Sequence, residues 1–312
     1  MNQPIKVVSI GECMLEVQAN GFGSAVLSYG GDTFNTAVYL RRCSAPDALE
    51  VGYATGLGDD PLSQKLMQEW TGLGLDLQHT RKISGKLPGM YLIETDDYGE
   101  RRFHFWRDNS AARFYFDVDI SPLEAEADGI DCFYFSGISL AILNATARHR
   151  LFTLLADQKA KGKQVVFDNN YRPRLWPDKQ TTQQVFNEAF AVSTLAMITA
   201  DDHQAVFELG SLDEAVAHAQ SLSVDEIVIK RGANTTLVRA KNSGTWEEAP
   251  TQLVEKVVDT TAAGDSFAAG YLSRRLQGAS TLISADFGNR VAAQVVQHRG
   301  AIIPIEAMKE LV

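Results

Sequence analysis

Short β-prone apolar runs alternate with amphipathic segments along most of the 312-residue chain, and this alternation constrains the fold more than any other feature. The runs that predict strands are KVVSIGE, EVGYATGLG, CFYFSGI, QVVFDNN, AMITAD, EIVIKRG and KVVDTT. Several are continuously apolar, as are strands of a parallel sheet that is buried on both faces. The pattern predicts an α/β fold with a doubly wound, mostly parallel sheet flanked by helices. Ligands bind such sheets at the carboxyl ends of the strands.

Helices are predicted between these runs. In DDPLSQKLMQEWTGLGL, Asp60 is placed as an N-cap and Pro61 at the first helical position, and Gly72 ends the pattern. Apolar residues recur every four positions in this helix and in one near the C-terminus: Leu62, Leu66 and Trp70, then Phe287, Val291 and Val295.

Residues 87–111 break the alternation. Two β-like runs, Met90–Glu94 and Arg102–Arg107, are joined by a polar turn with Asp97 and Gly99, which predicts an inserted β-hairpin. A hairpin rich in aromatic residues needs a ligand or a partner subunit to cover. We expect one domain over 1–312 with a small β lid, roughly 12–30 and 87–111.

The composition excludes several classes of protein. Lys plus Arg count 29 against 39 Asp plus Glu, a net charge of −10, so no nucleic-acid partner is expected. The chain has no apolar run of about 18 residues and no export signal, so neither a membrane partner nor secretion is expected. Three scattered cysteines suit the reducing cytoplasm. Because the chain is acidic overall, an anionic substrate would have to be bound by individual Arg and Lys residues and not by a general positive field.

The stretch VVDTTAAGDSFAAGYL (257–272) combines small residues with a carboxylate where a helix begins. Ala262, Ala263 and Gly264 leave room for a ligand close to unpaired helix N–H groups, which makes an anion hole. Asp265 at its edge could take a proton from an attacking hydroxyl. On the residues alone, an ordinary helix cap at Asp265 remains an alternative.

Other polar loops are weaker signals. In YGGDTFNTAVYL (29–40), Gly31 permits close approach of the backbone to a ligand, and Asn35 can hydrogen-bond hydroxyl groups. FDNNYRPRLW (167–176) places Arg172 after a strand, where it could bind a carboxylate or phosphate. IKRGANTT (229–236) likewise places Lys230 at a strand end, where it could meet phosphates. Flexible turns and surface salt bridges are the alternatives. The histidines show neither HxH nor HExxH spacing, so no protein-built metal site is expected, and any Mg²⁺ would come with a nucleotide.

GGDTFNTA and DTTAAGDSFAAG together resemble the paired signatures of the ribokinase-type sugar kinases, also called the phosphofructokinase B family. The resemblance covers essentially the whole chain, including the lid. IGECMLE, LPGMYLIETD, SGISLAIL, FDNNYRPRLW and RGAIIP resemble the members that phosphorylate the 6-hydroxyl of a six-carbon keto-deoxy sugar acid. The resemblance implies a ribokinase-like fold, ATP with Mg²⁺, an undecided need for a monovalent cation, and a homo-oligomer.

The resemblance also implies roles for single residues. Asp265 would be the general base, and the N–H groups of Ala262, Ala263 and Gly264 the anion hole. The substrate would be held by Gly31, Asn35, Tyr91 and Phe105, with Arg107 and Arg172 on its carboxylate. The nucleotide would be held by Lys230, Gly232 and Asn289, together with Ala262 and Gly264.

Three positions depart from the family pattern. Phe105 stands where many members have Tyr, the second glycine of the nucleotide loop is absent after KRGANTT, and the Mg²⁺-ordering Asn-x-x-Glu reads ADDH (200–203). Asp201 or Asp202 would replace that motif. The alternatives are another kinase of this type, such as one for fructose, and a non-catalytic sugar- or nucleotide-binding regulator.

Overall fold

The computed structural model describes residues 3–19, 23–95 and 101–311. In chain order the strands are β1 (Ile5–Ile10), β2 (Met14–Ala19), β3 (Ala25–Gly30), β4 (Leu49–Ala54), β5 (Gly56–Leu57), β6 (Arg81–Lys82), β7 (Met90–Thr95), β8 (Arg101–Trp106), β9 (Cys132–Ser136), β10 (Gln164–Asp168), β11 (Leu195–Thr199), β12 (Glu226–Arg231), β13 (Asn234–Arg239) and β14 (Glu247–Ala249). The α-helices are α1 (Asp32–Arg42), α2 (Pro61–Gly72), α3 (Pro122–Ala125), α4 (Gly137–Ile142), α5 (Ala145–Ala160), α6 (Lys179–Val192), α7 (Ala200–Phe207), α8 (Leu212–Gln220), α9 (Ala263–Arg275) and α10 (Thr281–Val295).

In the part of the chain that the structure describes, the central sheet has eight strands in the order β14-β13-β12-β11-β10-β9-β1-β4. The six from β12 to β4 run parallel, and β13 and β14 add an antiparallel edge. The mostly parallel α/β sheet is confirmed. The antiparallel edge was not predicted, because β13 reads NTTLVR, with a polar first half.

Helices cover both faces of this sheet, as in a doubly wound fold. Phe186 and Phe190 of α6 belong to the core on one face, and Phe34 of α1, Tyr271 of α9 and Val291 of α10 belong to the core on the other. Over residues 3–19, 23–95 and 101–311, no helix combines the length and apolar character needed to cross a membrane.

The two helices predicted from the four-residue spacing are α2 and α10. Asp60 caps α2 by accepting hydrogen bonds from the amides of Leu62 and Ser63, at 2.9 and 3.1 Å. Leu66 and Trp70 are buried, whereas Leu62 in the first turn is 43% exposed, so the apolar spacing extends one turn beyond the buried part of the helix. The stripe on α10 is buried throughout: Phe287, Val291 and Val295.

KVVDTT (256–261), predicted as a strand, has no strand structure. The amides of Val258 and Asp259 donate instead to the carbonyl of Val296 just after α10, at 2.8 and 3.2 Å. The edge of β12 where another strand could add is occupied by β13. Helix α9 is therefore entered from a segment attached to α10, not from the sheet.

A second sheet, in the order β3-β2-β7-β8, contains the predicted hairpin as β7 and β8. Tyr91 faces Phe105 across the hairpin, with ring centroids 5.8 Å apart, and β2 pairs in parallel with β7. The predicted turn with Asp97 and Gly99 lies outside the described residues. We call this four-stranded sheet the lid.

The lid joins α1 through Gly30 and Gly31, which differ in the space around them. A Cβ atom on Gly31 would lie 2.1 Å from the carbonyl oxygen of Glu12, but one on Gly30 would lie 3.5 Å from Oδ1 of Asn35. Gly31 has an extended φ of 179°, which any residue adopts, so only the close approach requires glycine.

We expect Gly31→Ala to lower the free energy of unfolding by about 1–3 kcal/mol, because the backbone at Glu12 must move. Gly30→Ala is the matched control, because its new methyl group makes ordinary contacts. Urea denaturation of both variants measures the difference. Equal stability of the two variants would contradict the steric argument.

Candidate active site

Three carboxylates meet at the carboxyl edge of the central sheet. Asp168 ends β10, Asp32 begins α1, and Asp265 lies in the first turn of α9. Asn35 of α1 donates from Nδ2 to Oδ2 of Asp265 at 2.8 Å, which fixes the carboxylate. The hydroxyl of Thr36 lies 3.3 Å from the carbonyl oxygen of Asp265. Residues far apart in sequence thus form one acidic pocket.

The surroundings of Asp265 favour its protonated form. Burial raises the pKa of Asp265 to about 8, with the negative charges of Asp32 and Asp168 adding to the effect. The hydrogen bond from Asn35 and the positive charge of Lys230 act in the opposite direction. A carboxylate with this proton affinity is a much stronger base than an ordinary aspartate, as proton abstraction from a hydroxyl requires.

The entrance of α9 offers backbone donors. Its N-cap, Ala262, has φ 61° and no side-chain cap, a left-handed conformation that is uncommon for residues other than glycine. The amide of Ala263 already donates to the carbonyl of Thr260 at 3.2 Å. For the amides of Ala262, Gly264 and Asp265, the described residues supply no hydrogen-bond acceptor. The sequence hypothesis had included Ala263 in the anion hole and had omitted the amide of Asp265.

Lys230 lies beside this entrance. Its ammonium group binds Oδ2 of Asp168 at 2.8 Å, and a Cβ atom on Gly264 would lie 3.6 Å from Nζ. The side chain is 11% exposed, so its charge is only partly screened by water. Positive charge and free amides together suit a phosphate group.

The other residues predicted for the nucleotide lie differently. Gly232, with φ 60°, lies in the turn between β12 and β13, and among the described residues other than its two chain neighbours no atom comes within 4 Å of where its Cβ would be. Asn289 is buried: its Oδ1 accepts from Thr236 at 3.0 Å, and its Nδ2 donates to the carbonyls of Ala249 and Pro250 at 3.3 and 3.1 Å. Asn289 thus joins α10 to the sheet edge with its own polar groups.

The lid places aromatic groups near Asn35. The hydroxyl of Tyr91 donates to Glu16. A Cβ atom placed on Gly30 would lie 4.0 Å from this hydroxyl and 3.5 Å from Oδ1 of Asn35, so the two side chains flank the same glycine. Phe105, beside Tyr91, is 49% exposed. The structure therefore brings Gly31, Asn35 and Tyr91 together, with the exposed Phe105 next to Tyr91.

The two predicted carboxylate-binding arginines differ in environment. Arg107 is buried and bound to Glu12, which is buried as well. Arg172 is exposed: it donates to the carbonyl of Tyr171 at 2.7 Å and lies 3.7 Å from Asp202. Arg172 is thus accessible to an anion from solvent while it lies beside Asp202, whereas the buried Arg107 would have to share its charge with Glu12.

Asp202 is better placed than Asp201 to replace the missing Mg²⁺-ordering motif. Its Oδ2 accepts from the amide of Tyr171 at 3.1 Å, and burial raises its pKa, whereas Asp201 is exposed. Among the described residues, no group of three or more His, Cys, Asp or Glu could hold a metal ion. One carboxylate is enough for Mg²⁺ that is held mainly by phosphate oxygens, so these residues fit a nucleotide-bound ion.

Asp32 and Glu12 are two further site residues for which the sequence predicts no role. Asp32 accepts a hydrogen bond from Asn170 at 2.7 Å, and Glu12 is the ion-pair partner of Arg107. A signal for Asp32 was present, since a carboxylate directly after Gly31 begins a helix. Glu12 follows a strand in the ordinary sequence IGE, which gave no such signal.

The sequence matches a known protein family over most of its length. The model of the pfkB family carbohydrate kinases matches residues 4–308. The 2-dehydro-3-deoxygluconokinases of Escherichia coli K12 and Dickeya dadantii are 44% and 45% identical to the chain, covering 97% of it and 98% of each relative.

Solved structures show the same fold. The 2-dehydro-3-deoxygluconokinase of Thermotoga maritima superposes with a TM-score of 0.83 at 22% identity, covering 99% of this chain and 98% of that one. The fructokinase of Xylella fastidiosa with bound ATP gives 0.81 at 19% identity, covering 98% and 97%. The match over residues 4–308 and the identity to these relatives show that the chain belongs to the pfkB family of carbohydrate kinases.

Proposed function

We propose that this protein transfers the γ-phosphoryl group of ATP to the 6-hydroxyl of 2-keto-3-deoxy-D-gluconate (2-dehydro-3-deoxygluconate), giving 2-keto-3-deoxy-6-phosphogluconate. The substrate is supported by relatives of that activity at 44–45% identity over almost the full chain. The chemistry is supported above all by one observation, the buried carboxylate of Asp265 beside amides at the start of α9 for which the described residues supply no acceptor.

In the proposed reaction, Asp265 takes the proton of the 6-hydroxyl as that oxygen bonds to the γ-phosphorus. The bond from this phosphorus to the bridging oxygen breaks, and the bridging oxygen leaves with ADP. The amides of Ala262, Gly264 and Asp265 stabilise the charge on the transferred group, and Lys230 adds a positive charge. Mg²⁺, when bound, would neutralise charge on the phosphates, with Asp202 ordering its water shell.

Asp265→Asn should lower kcat at least ~10²-fold, because the general base is lost, while ATP binding measured by calorimetry stays close to that of the wild type. Asparagine preserves size and can still accept the hydrogen bond from Asn35. Near-normal turnover by this variant would rule out Asp265 as the base.

The same substitution has a stability effect of known sign. The pKa of Asp265 is raised from 3.8 to about 8 on folding, so its proton stabilises the fold below pH 4 and this contribution is lost as the pH rises to 8. Asp265→Asn should therefore raise the thermal midpoint at pH 9 and change it little at pH 4.

We propose that Arg172 and Arg107 bind the substrate carboxylate, with Arg172 as the accessible partner. Arg172→Ala should raise KM for 2-keto-3-deoxygluconate at least about tenfold and leave KM for a neutral sugar unchanged, because only the acid loses an ion pair. Arg174→Ala, the exposed neighbour, is the control. Equal effects on both substrates would exclude this role.

Arg107→Ala is expected to raise the same KM and, in addition, to destabilise the fold. It leaves the buried Glu12 without its partner, which typically costs about 3–5 kcal/mol. Its thermal midpoint therefore has to be measured alongside its kinetics.

A kinase for a neutral sugar such as fructose is the nearest alternative, since a fructokinase shares the fold. It would offer no substrate carboxylate to the exposed Arg172, which would keep only Asp202 as its partner. A non-catalytic binding protein would not need the basic Asp265. ADP release measured with 2-keto-3-deoxygluconate, gluconate, 2-keto-3-deoxygalactonate, fructose and ribose separates these alternatives.

We further propose that the enzyme is a cytoplasmic homo-oligomer that associates through the lid. Leu27 and Trp106, 55% and 56% exposed, lie on the same face of this sheet, and apolar surface of that kind suits a second copy of the chain.

Light scattering at micromolar concentration should therefore give at least the dimer mass. Leu27→Asp should yield monomers, because it places a charge in the contact, whereas Ile283→Asp, at an exposed apolar residue of α10, should not. A monomeric wild-type protein would refute association through the lid.

A further inference from the structure

We propose that Asp168 is a positioning residue, whose carboxylate keeps the ammonium group of Lys230 at the head of α9, where the γ-phosphoryl group is transferred. Asp168 itself contacts neither ATP nor the sugar acid. The inference rests on the proposed function, and it assigns a purpose to a buried carboxylate at the end of an apolar strand.

The pleat of the central sheet places Asp168 and Lys230 on the same face. Asp168 is in register with Met197 of β11, and Met197 is in register with Val228 of β12. Met197 and Val228 belong to the core on the side of the sheet that α9 covers. Lys230 follows Val228 by two positions, so its side chain leaves β12 on that side as well. The two charged side chains therefore share one face, with β11 between their strands.

The lysine side chain reaches across β11 to the carboxylate. Nζ of Lys230 lies 2.8 Å from Oδ2 of Asp168, and the two side chains are 11% and 4% exposed. Among the described residues, Asp168 supplies the only hydrogen-bond acceptor for this ammonium group. A lysine has a flexible four-carbon stem, so the position of its charge depends on that single partner.

Other groups fix the carboxylate in turn. Its Oδ1 accepts from the amide of Asn170, and its Oδ2 accepts from the hydroxyl of Tyr134, both at 3.3 Å. The hydroxyl of Thr36 lies 3.3 Å from the hydroxyl of Tyr134 and 3.3 Å from the carbonyl oxygen of Asp265. Polar contacts thus connect the ammonium group, through four side chains, to the first turn of α9.

The ammonium group lies where phosphoryl transfer is proposed. A Cβ atom on Gly264 would lie 3.6 Å from Nζ of Lys230, and the described residues supply no acceptor for the amide of Gly264. An ammonium group has three N–H donors, so the ion pair with Asp168 leaves two of them for phosphate oxygens. Misplacing a group of this kind by about 1 Å can lower a rate by about 10²-fold.

The test is a double-mutant cycle with Asp168→Asn and Lys230→Met. Asparagine keeps the shape of the side chain and removes the charge that attracts the ammonium group. Glu226→Gln is the matched control, because Glu226 begins β12, is buried and is paired with Arg275 at 2.8 Å. For each protein, kcat and KM are measured at several Mg²⁺ concentrations. Thermal midpoints and the stoichiometry of ATP binding by calorimetry give the fraction of folded enzyme.

We expect Lys230→Met to lower kcat at least ~10²-fold, because a donor to the transferred group is lost. Asp168→Asn should lower kcat about tenfold and leave KM for the sugar acid unchanged. In the Lys230→Met background, Asp168→Asn should lower kcat no further, because the group that it positions is absent. The Glu226→Gln control should lower the thermal midpoint and keep the wild-type kcat per folded enzyme.

An equal loss of kcat in both backgrounds would overturn the inference. So would a higher Mg²⁺ requirement of Asp168→Asn with and without Lys230, since Asp168 would then bind the metal ion. If Asp168→Asn does not fold, Tyr134→Phe replaces it in the cycle, because it removes only the hydroxyl that holds Oδ2. Tyr134→Phe should lower kcat about fivefold, the equivalent of one neutral hydrogen bond, only when Lys230 is present. An unchanged kcat there would equally overturn the inference.

The inference and the proposed function fail in different ways. If Asp265→Asn keeps near-normal turnover, the proposed base is wrong whatever the cycle shows. If Lys230→Met keeps near-normal kcat, the role of Lys230 is wrong, and the role of Asp168 with it. If Lys230→Met is slow but Asp168→Asn is as fast as the wild type, only the role of Asp168 is wrong.

Discussion

The hydrogen bond from Asn35 to Asp265 joins two helices that are 230 residues apart in sequence, and the candidate site depends on it. It orients the carboxylate that we propose as the general base, and it attaches the first turn of α1 to the first turn of α9. Burial of the Asp265 carboxyl raises its pKa, so the free energy of unfolding falls when this carboxyl ionises. The packing of α1 against α9 offsets this loss of stability. Stability and reactivity at this site are therefore opposed, as is usual for activated groups.

Much of the architecture could be predicted from the sequence because it follows from periodicity. Continuous apolar runs predicted the parallel strands, and the spacing of Leu66 and Trp70 identified the buried face of α2. The prediction was wrong for KVVDTT, whose valines suit a strand. Local propensity does not reveal which strands pair with each other. Here β13, which follows β12 directly in the chain, already pairs with the edge of β12 to which KVVDTT could have added.

The site was partly predictable for a similar reason. Residues at strand ends and helix starts, such as Lys230 and Asp265, are placed by the fold class itself. Which side chains contact each other across the pocket cannot be predicted from short stretches of sequence. Nothing in the sequence indicates that Arg107 pairs with Glu12, or that the side-chain amide of Asn289 forms hydrogen bonds with β13 and β14. Such pairings depend on the three-dimensional packing of distant segments.

The irregular segment before α9 has a consequence for how this family can diversify. A strand in that place would attach α9 to the hydrogen-bonded ladder of the sheet, where the insertion of one residue moves every following side chain to the opposite face. Here the segment is attached at Val258 and Asp259: both amides donate to the carbonyl of Val296, and the Asp259 carboxylate accepts from the amide of Gly300 at 3.2 Å. Residues can therefore be gained or lost between β14 and Val258 without changing the position of α9, so length variation is tolerated a few residues from the reacting groups.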